Sequence, residues 1–315
     1  MDKLAIFSGN GNRDLTKAIC KCLHVKEGEA LVSRFSDGEV RVKIEGNVRG
    51  KDVFVVQPTC SPVNENLIEL LVMLDALKRA SANRITAVIP YFAYARQDRK
   101  DQPRVPITAK LVANILTAAG ANRILTLDLH AGQVQGFFDI PVDHLYAINV
   151  FEEYFKKLRI GNLVVVSPDV GGIKMARAYA KRLSADLAIV DKRRNDPSST
   201  EVMHILGEVK GKNIILVDDI IATGSSLVEA ARALKGAGAK KIYGAITHGI
   251  LSDDAIGKVN DSCLDFLAIT DSIPLPEEKK SKKIRVVSVG KLIADAIDRI
   301  HFEKSISVLF DGVRR

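Results

Sequence analysis

Short apolar, largely β-branched runs alternate with longer helix-forming stretches along almost the whole chain, and this alternation narrows the fold more than any other feature. The runs are Leu4–Phe7, Val53–Gln57, Ile85–Pro90, Ile124–Leu129, Leu163–Ser167, Leu187–Val190, Ile214–Val217, Ile242–Thr247 and Phe266–Thr270. Helical periodicity covers Glu65–Ala80, Ile107–Ala118, Lys174–Ser184 and Leu227–Lys235. Strands that are apolar on both faces and separated by helices predict a parallel sheet buried on both sides. The expected class is therefore α/β, doubly wound. Ligands of such sheets bind beyond the carboxyl ends of the strands, so the polar residues that close each apolar run are the candidates for function.

The pattern also repeats. Gly50-Lys51-Asp52-Val53-Phe54-Val55-Val56 resembles Gly211-Lys212-Asn213-Ile214-Ile215-Leu216-Val217. One helix later, Lys78-Arg79-Ala80-Ser81-Ala82-Asn83-Arg84-Ile85 parallels Lys235-Gly236-Ala237-Gly238-Ala239-Lys240-Lys241-Ile242. The offset is about half of the 315 residues, which predicts two similar doubly wound parallel-sheet domains related by internal duplication. A boundary is expected near Ile140–Tyr146, giving domains of residues 1–145, joined by the tail 300–315, and 146–299.

Apolar residues form 47% of the chain and charged residues 27%, the balance of a globular protein. Trp is absent and aromatics are few, which argues against stacking platforms for single-stranded nucleic acid. The net charge is +8. Its densest run, Lys279, Lys280, Lys282, Lys283 and Arg285, is too short for a basic tail and reads as a solvated loop. The remaining cations are dispersed, which favours small anionic ligands over nucleic acid. Cys20, Cys22, Cys60 and Cys263 match no zinc spacing and suggest reduced thiols in the cytoplasm. No run is long and apolar enough to predict a membrane span.

The densest chemical signal is Ile214-Ile215-Leu216-Val217-Asp218-Asp219-Ile220-Ile221-Ala222-Thr223-Gly224-Ser225-Ser226. An apolar strand closes in two acids, and a small-residue loop then opens a helix. Main-chain N–H groups at Thr223–Ser226, their hydroxyls and the helix N-terminus form a phosphate cradle. The two carboxylates would repel that phosphate, and suit sugar hydroxyls instead. A phosphate and a diol on one loop describe ribose 5-phosphate; an acidic strand end beside an ordinary helix cap is the plainer reading.

This loop resembles the signature of the phosphoribosyltransferase superfamily. Five further segments resemble ribose-phosphate pyrophosphokinases: Phe35-Ser36-Asp37-Gly38-Glu39, Pro90-Tyr91-Phe92-Ala93-Tyr94-Ala95-Arg96-Gln97-Asp98-Arg99, Asp128-Leu129-His130-Ala131-Gly132-Gln133, Ser167-Pro168-Asp169-Val170-Gly171-Gly172 and Asp191-Lys192-Arg193-Arg194. The resemblance implies synthesis of phosphoribosyl pyrophosphate from ATP and ribose 5-phosphate, with magnesium. It implies ATP binding by Phe35, Asp37, Gly38, Glu39, Arg96, Gln97 and Arg99, the first four offered by a neighbouring subunit. It assigns magnesium to His130 and Asp169, and catalysis to Lys192 and Arg194. Ribose 5-phosphate falls to Arg194, Asp218, Asp219, Ala222, Thr223, Gly224, Ser225 and Ser226. It further implies a hexamer that phosphate activates and ADP inhibits, at an anion site of Arg49, Ser305, Ser307 and Phe310.

Several of these motifs make physical sense alone. Asp128 and His130 lie two apart at the end of the expected strand Ile124–Leu129, so they should share a face. Lys192 and Arg194 follow the strand Leu187–Val190 and precede Asn195-Asp196-Pro197-Ser198-Ser199, which reads as a mobile loop able to carry cations over a reacting phosphate. No Gly-x-x-x-x-Gly-Lys-Ser/Thr loop or kinase glycine loop is present, so ATP is not held in either of those ways. The chain departs from the family pattern at Ala222, where Asp is usual, and at Ser225-Ser226, where Gly-Thr is usual. Ala93, Gly249 and Asp253 replace Gly, Pro and Gly. Two alternatives use the same residues: a phosphoribosyltransferase, which consumes the product, and a non-catalytic regulatory relative.

Overall fold

A computed structural model describes residues 3–193 and 202–309 and divides into two compact units. The first comprises residues 1–146, 272–274 and 288–311, and the second holds the remainder. The first unit begins β1 Leu4–Ser8, α1 Arg13–Leu23, β2 Ala30–Arg34, β3 Val40–Ile44 and β4 Asp52–Val56. It continues with α2 Val63–Arg79, β5 Arg84–Ile89, α3 Thr108–Ala119, β6 Arg123–Leu127 and β7 Val142–Leu145. The second unit runs α4 Ile148–Lys157, β8 Leu163–Ser167, α5 Ile173–Leu183, β9 Asp186–Arg193, β10 Val202–Leu206 and β11 Asn213–Ile221. Then follow α6 Ser225–Gly236, β12 Lys241–Gly249, α7 Ala255–Asp261, β13 Phe266–Thr270 and β14 Ile284–Val287. Helix α8, Gly290–His301, returns to the first unit.

Five parallel strands, ordered β1-β4-β5-β6-β7, form the first unit's sheet. Val53, Val55, Ile85, Ala87 and Ile89 face α2 and α3 in one core cluster. The alternate residues Phe54, Val56 and Val88 are equally buried, so the opposite face is covered too. Seven strands form the second sheet, ordered β10-β9-β8-β11-β12-β13-β14, parallel except for β10 against β9. Its centre, Ile214, Ile215, Leu216 and Val217, is fully buried, each side chain contributing about 1.5–3 kcal/mol of transfer free energy.

The repeat persists in main-chain detail. Gly50 and Gly211 both take left-handed φ, 70° and 71°, just before β4 and β11. Gly50 N–H donates to Ser81 O at 2.9 Å, and Gly211 N–H to Gly238 O at 2.8 Å. Lys51 and Lys212 then close equivalent turns onto Val48 O and Val209 O, at 3.0 and 3.1 Å. Glycine suits this turn because a Cβ at positive φ is strained.

Structure revises the expected domain limits at the second crossing. The chain re-enters the first unit at Ser288, so all of α8 belongs there, and the boundary at 299/300 falls too late. The physical reason is burial: Leu292, Ile293, Ala296, Ile297 and Ile300 form one apolar face, and α8 packs on α1. A polar clamp reinforces it. Buried Asp52 accepts from Arg84 at 2.8 and 2.6 Å and meets His301 Nδ1 at 2.8 Å, while Arg84 also donates to Ile300 O. Arg84→Ala is expected to lower unfolding stability by about 2–3 kcal/mol, because it takes from a buried carboxylate its two-pronged cationic partner and leaves it His301. Denaturant unfolding measures this, and a loss below about 0.5 kcal/mol would refute the clamp. The basic run is also revised: Arg285 lies in β14, its guanidinium 3.8 Å from the Phe266 ring centroid, so it is stacked and not part of a solvated loop.

Candidate functional site

In the second sheet the chain moves outward from β8 through β9 to β10, then returns to place β11 on the other side of β8. That reversal opens a crevice at the carboxyl ends of β8 and β11, where α/β sheets bind ligands. Pairing of β8 with β11 ends at Val166–Leu216, whereas β11 stays paired with β12 as far as Ile221–Gly249. Asp218 and Asp219 therefore lie inside β11, not beyond it as expected, on the stretch that β8 no longer covers. Burial first, then the charge of Asp219 and a hydrogen bond with it, push the Asp218 carboxyl up to about 8; the charge of Asp169 adds to this. Asp169 is exposed after β8, and its Oδ1 accepts the Gly172 N–H at 2.9 Å as α5 begins.

The loop from β11 to α6 has the form expected of an anion cradle. Gly224 takes φ 76° at the cap, which turns the chain abruptly into α6. The first N–H groups of a helix have no intrahelical acceptor and face the ligand side. Thr223 and Ser226 are exposed, and Ser225 is half-buried. The Ala222 carbonyl accepts the Ser252 N–H at 3.0 Å, which ties the loop to the segment before α7. Sequence reading missed Lys258 of α7, whose Nζ donates to Ser225 Oγ at 2.8 Å. These residues lie 33 positions apart, so only the fold brings them together.

Lys192 lies within β9, opposite Met203 of β10, so its main chain belongs to a paired strand and not to a loop after Val190. Arg194 and the Asn195–Ser199 segment lie outside the described residues, as does Phe310.

In the first unit, β6 ends at Leu127 and Asp128 takes φ 34°. The strand alternation expected to put Asp128 and His130 on one face is broken there: Asp128 is buried and His130 exposed. Two bonds fix this turn, one within the main chain from Asp128 N–H to Leu145 O at 2.9 Å and one from Leu129 N–H to the His144 side chain at Nε2, 2.8 Å. Arg96, Gln97 and Arg99 line one pocket of about 340 Å³ with Asp101, Val105 and Pro106. Phe35, Asp37, Gly38 and Glu39 form the tip of the β2–β3 hairpin, closed by a 2.8 Å bond from Phe35 N–H to Glu39 O. Phe35 is 49% exposed, an apolar ring presented to solvent. Ser305 and Ser307 share a 2.6 Å hydroxyl bond, and Arg49, which is exposed, bonds to neither among the described residues.

Fold and loop together define a doubly wound α/β protein with a small-residue loop opening a helix at its switch point. Residues 4–120 match the N-terminal domain of ribose phosphate pyrophosphokinase, and residues 194–311 the phosphoribosyl synthetase-associated domain. A ribose-phosphate pyrophosphokinase of Bacillus caldolyticus is 54% identical over 309 residues, covering 98% of each chain. One from Rhizobium meliloti is 54% identical over 310 residues, 98% of this chain and 100% of the other. The crystal structure of phosphoribosylpyrophosphate synthetase from Mycobacterium smegmatis superposes with a TM-score of 0.90 at 39% identity, covering 96% of this chain and 99% of that one. The chain belongs to the ribose-phosphate pyrophosphokinase family.

Proposed function

We propose that the chain transfers the pyrophosphoryl group of ATP to the C1 hydroxyl of ribose 5-phosphate, yielding phosphoribosyl pyrophosphate and AMP for nucleotide synthesis. The observation that carries this is the β11–α6 loop, where two carboxylates adjoin a main-chain anion cradle at the switch point. Asp218 and Asp219 accept the sugar hydroxyls. Ala222, Thr223, Gly224, Ser225 and Ser226 hold the 5-phosphate. Arg96, Gln97 and Arg99 bind the ATP phosphates in their pocket, and the hairpin tip offers Phe35, Asp37, Gly38 and Glu39 to adenine. Lys192 and Arg194 hold charge against the transferring group, so positioning and electrostatics supply most of the rate.

Among the described residues, no three His, Cys, Asp or Glu side chains are grouped to hold a metal ion. Magnesium does not need such a group, since it takes one or two protein ligands and fills its shell with water and phosphate oxygens. The donors fit: carboxylates are hard ligands, and the mutual repulsion felt at Asp218 marks a region that favours a cation. Asp169 is the second unit's candidate ligand and His130 the first unit's. Bound magnesium would screen the ATP phosphates from the attacking hydroxyl.

The direct test is pure protein with ATP, ribose 5-phosphate and magnesium, followed by product identification. Equal amounts of AMP and phosphoribosyl pyrophosphate are expected, with activity abolished by chelator and restored by excess magnesium. Free pyrophosphate and a nucleotide made from a base would instead indicate a phosphoribosyltransferase, and no turnover a regulatory relative. Undiminished activity without metal would remove His130 and Asp169 from the site. Among the described residues no helix is long and apolar enough to cross a membrane. A cytoplasmic homohexamer is proposed, with phosphate activating and ADP inhibiting at Arg49, Ser305, Ser307 and Phe310.

A further inference from the structure

Lys258 sits on α7, half-buried, and makes no ion pair among the described residues. Its ammonium instead donates to the Ser225 hydroxyl, in the first turn of α6. This is a poor end state for a cation partly withdrawn from water, because a neutral hydroxyl compensates little of the lost hydration. The arrangement makes sense when an anion is present. Oγ of Ser225 accepts from Nζ, so its own proton is left for another acceptor. A positive charge and a hydroxyl with a proton to donate are thus placed together at the N-terminus of α6.

We infer that Lys258 is a further specificity-determining residue, which selects the 5-phosphate of the sugar by charge and by aiming the Ser225 hydroxyl at it. The inference rests on the reading that the Ala222–Ser226 loop holds this phosphate. The 5-phosphate does not change charge during transfer, so the lysine contributes to binding equally in the ground and transition states. Its loss should therefore appear in KM and not in kcat.

The test is calorimetric titration of the full-length protein with ribose 5-phosphate, together with steady-state kinetics. Native protein is compared with Lys258→Ala, Lys258→Met and Thr223→Ala; the Met variant keeps the aliphatic stem and so the packing of α7. Both Lys258 variants should raise Kd and KM for ribose 5-phosphate about tenfold, with kcat reduced less than threefold and KM for ATP shifted less than twofold. Lys258→Arg should recover part of the affinity, and the salt dependence of binding should flatten in the neutral variants. Thr223→Ala reports on the loop itself. If it weakens binding while both Lys258 variants bind as tightly as native, the loop reading stands and the role of Lys258 falls. If all three bind as native, the loop reading fails and the lysine's role with it. An equal loss of ATP affinity in both Lys258 variants would make the lysine structural and overturn the proposal.

Discussion

Lys192→Ala is expected to lower kcat by roughly a hundredfold or more, about 2.7 kcal/mol of lost transition-state stabilisation. On the proposed reaction the charge it supplies is needed most as the pyrophosphoryl group leaves the AMP phosphate oxygen for the sugar oxygen, so substrate KM values should change far less than kcat. The residue's main chain is held in β9 against β10, which argues for a cation carried by a paired strand instead of an unconstrained loop. A fixed strand reduces the reorganisation needed to bring charge to the reacting phosphorus. Single-turnover measurements with saturating ATP and ribose 5-phosphate provide the check. Near-native turnover would take Lys192 out of the mechanism.

The second large effect lies at the acidic pair, where activity and stability should move in opposite directions. Asp219→Ala removes a sugar acceptor and should reduce kcat/KM for ribose 5-phosphate more than tenfold, over about 1.4 kcal/mol. Asp218→Asn should do likewise, yet it should also stabilise the ligand-free protein. Burial, and then the neighbouring Asp219 charge, raise the folded pKa of Asp218 to about 8, so the folded chain binds a proton that the unfolded chain releases near pH 4. Stability therefore falls as pH rises from about 4 towards 8, because the native state holds more protons throughout that window. Thermal unfolding of ligand-free protein between pH 5 and 8 should show this decline, and Asp218→Asn should flatten it. Identical slopes for native and variant would mean that Asp218 ionises freely in the folded protein. Ribose 5-phosphate and a divalent cation should restore stability to the native chain at the alkaline end and much less to the variant.

The parallel core was legible because strands buried on both faces must be apolar at every position, as at Ile214–Val217 and Val53–Val56. The β2–β3 hairpin carried a readable signal that went unused: Val40, Val42 and Ile44 alternate with Arg41 and Lys43. Its alternation is that of a half-exposed antiparallel pair, not of the buried strands that dominate the chain. Helix α8 lies outside the four helical stretches expected from sequence; its apolar stripe is present, but sequence does not state which surface a stripe will cover. The extension of β11 through Asp218 and Asp219 could not be read, because two acids ordinarily end a strand. Nor could Lys258, whose meaning depends wholly on Ser225. The loop and the acids that open it were visible because a phosphate cradle needs small residues in consecutive positions.

The return of α8 to the first unit sets an order on synthesis. A ribosome makes β1 to β7 first, but the helix that covers α1 and supplies His301 to the Asp52 clamp emerges only after every strand of the second unit's sheet. The N-terminal unit therefore waits with an apolar surface uncovered, while the second unit's last strand, β14, is available before α8 is made. Chain elongation thus supplies all strands of the later-made sheet before the earlier unit receives its covering helix.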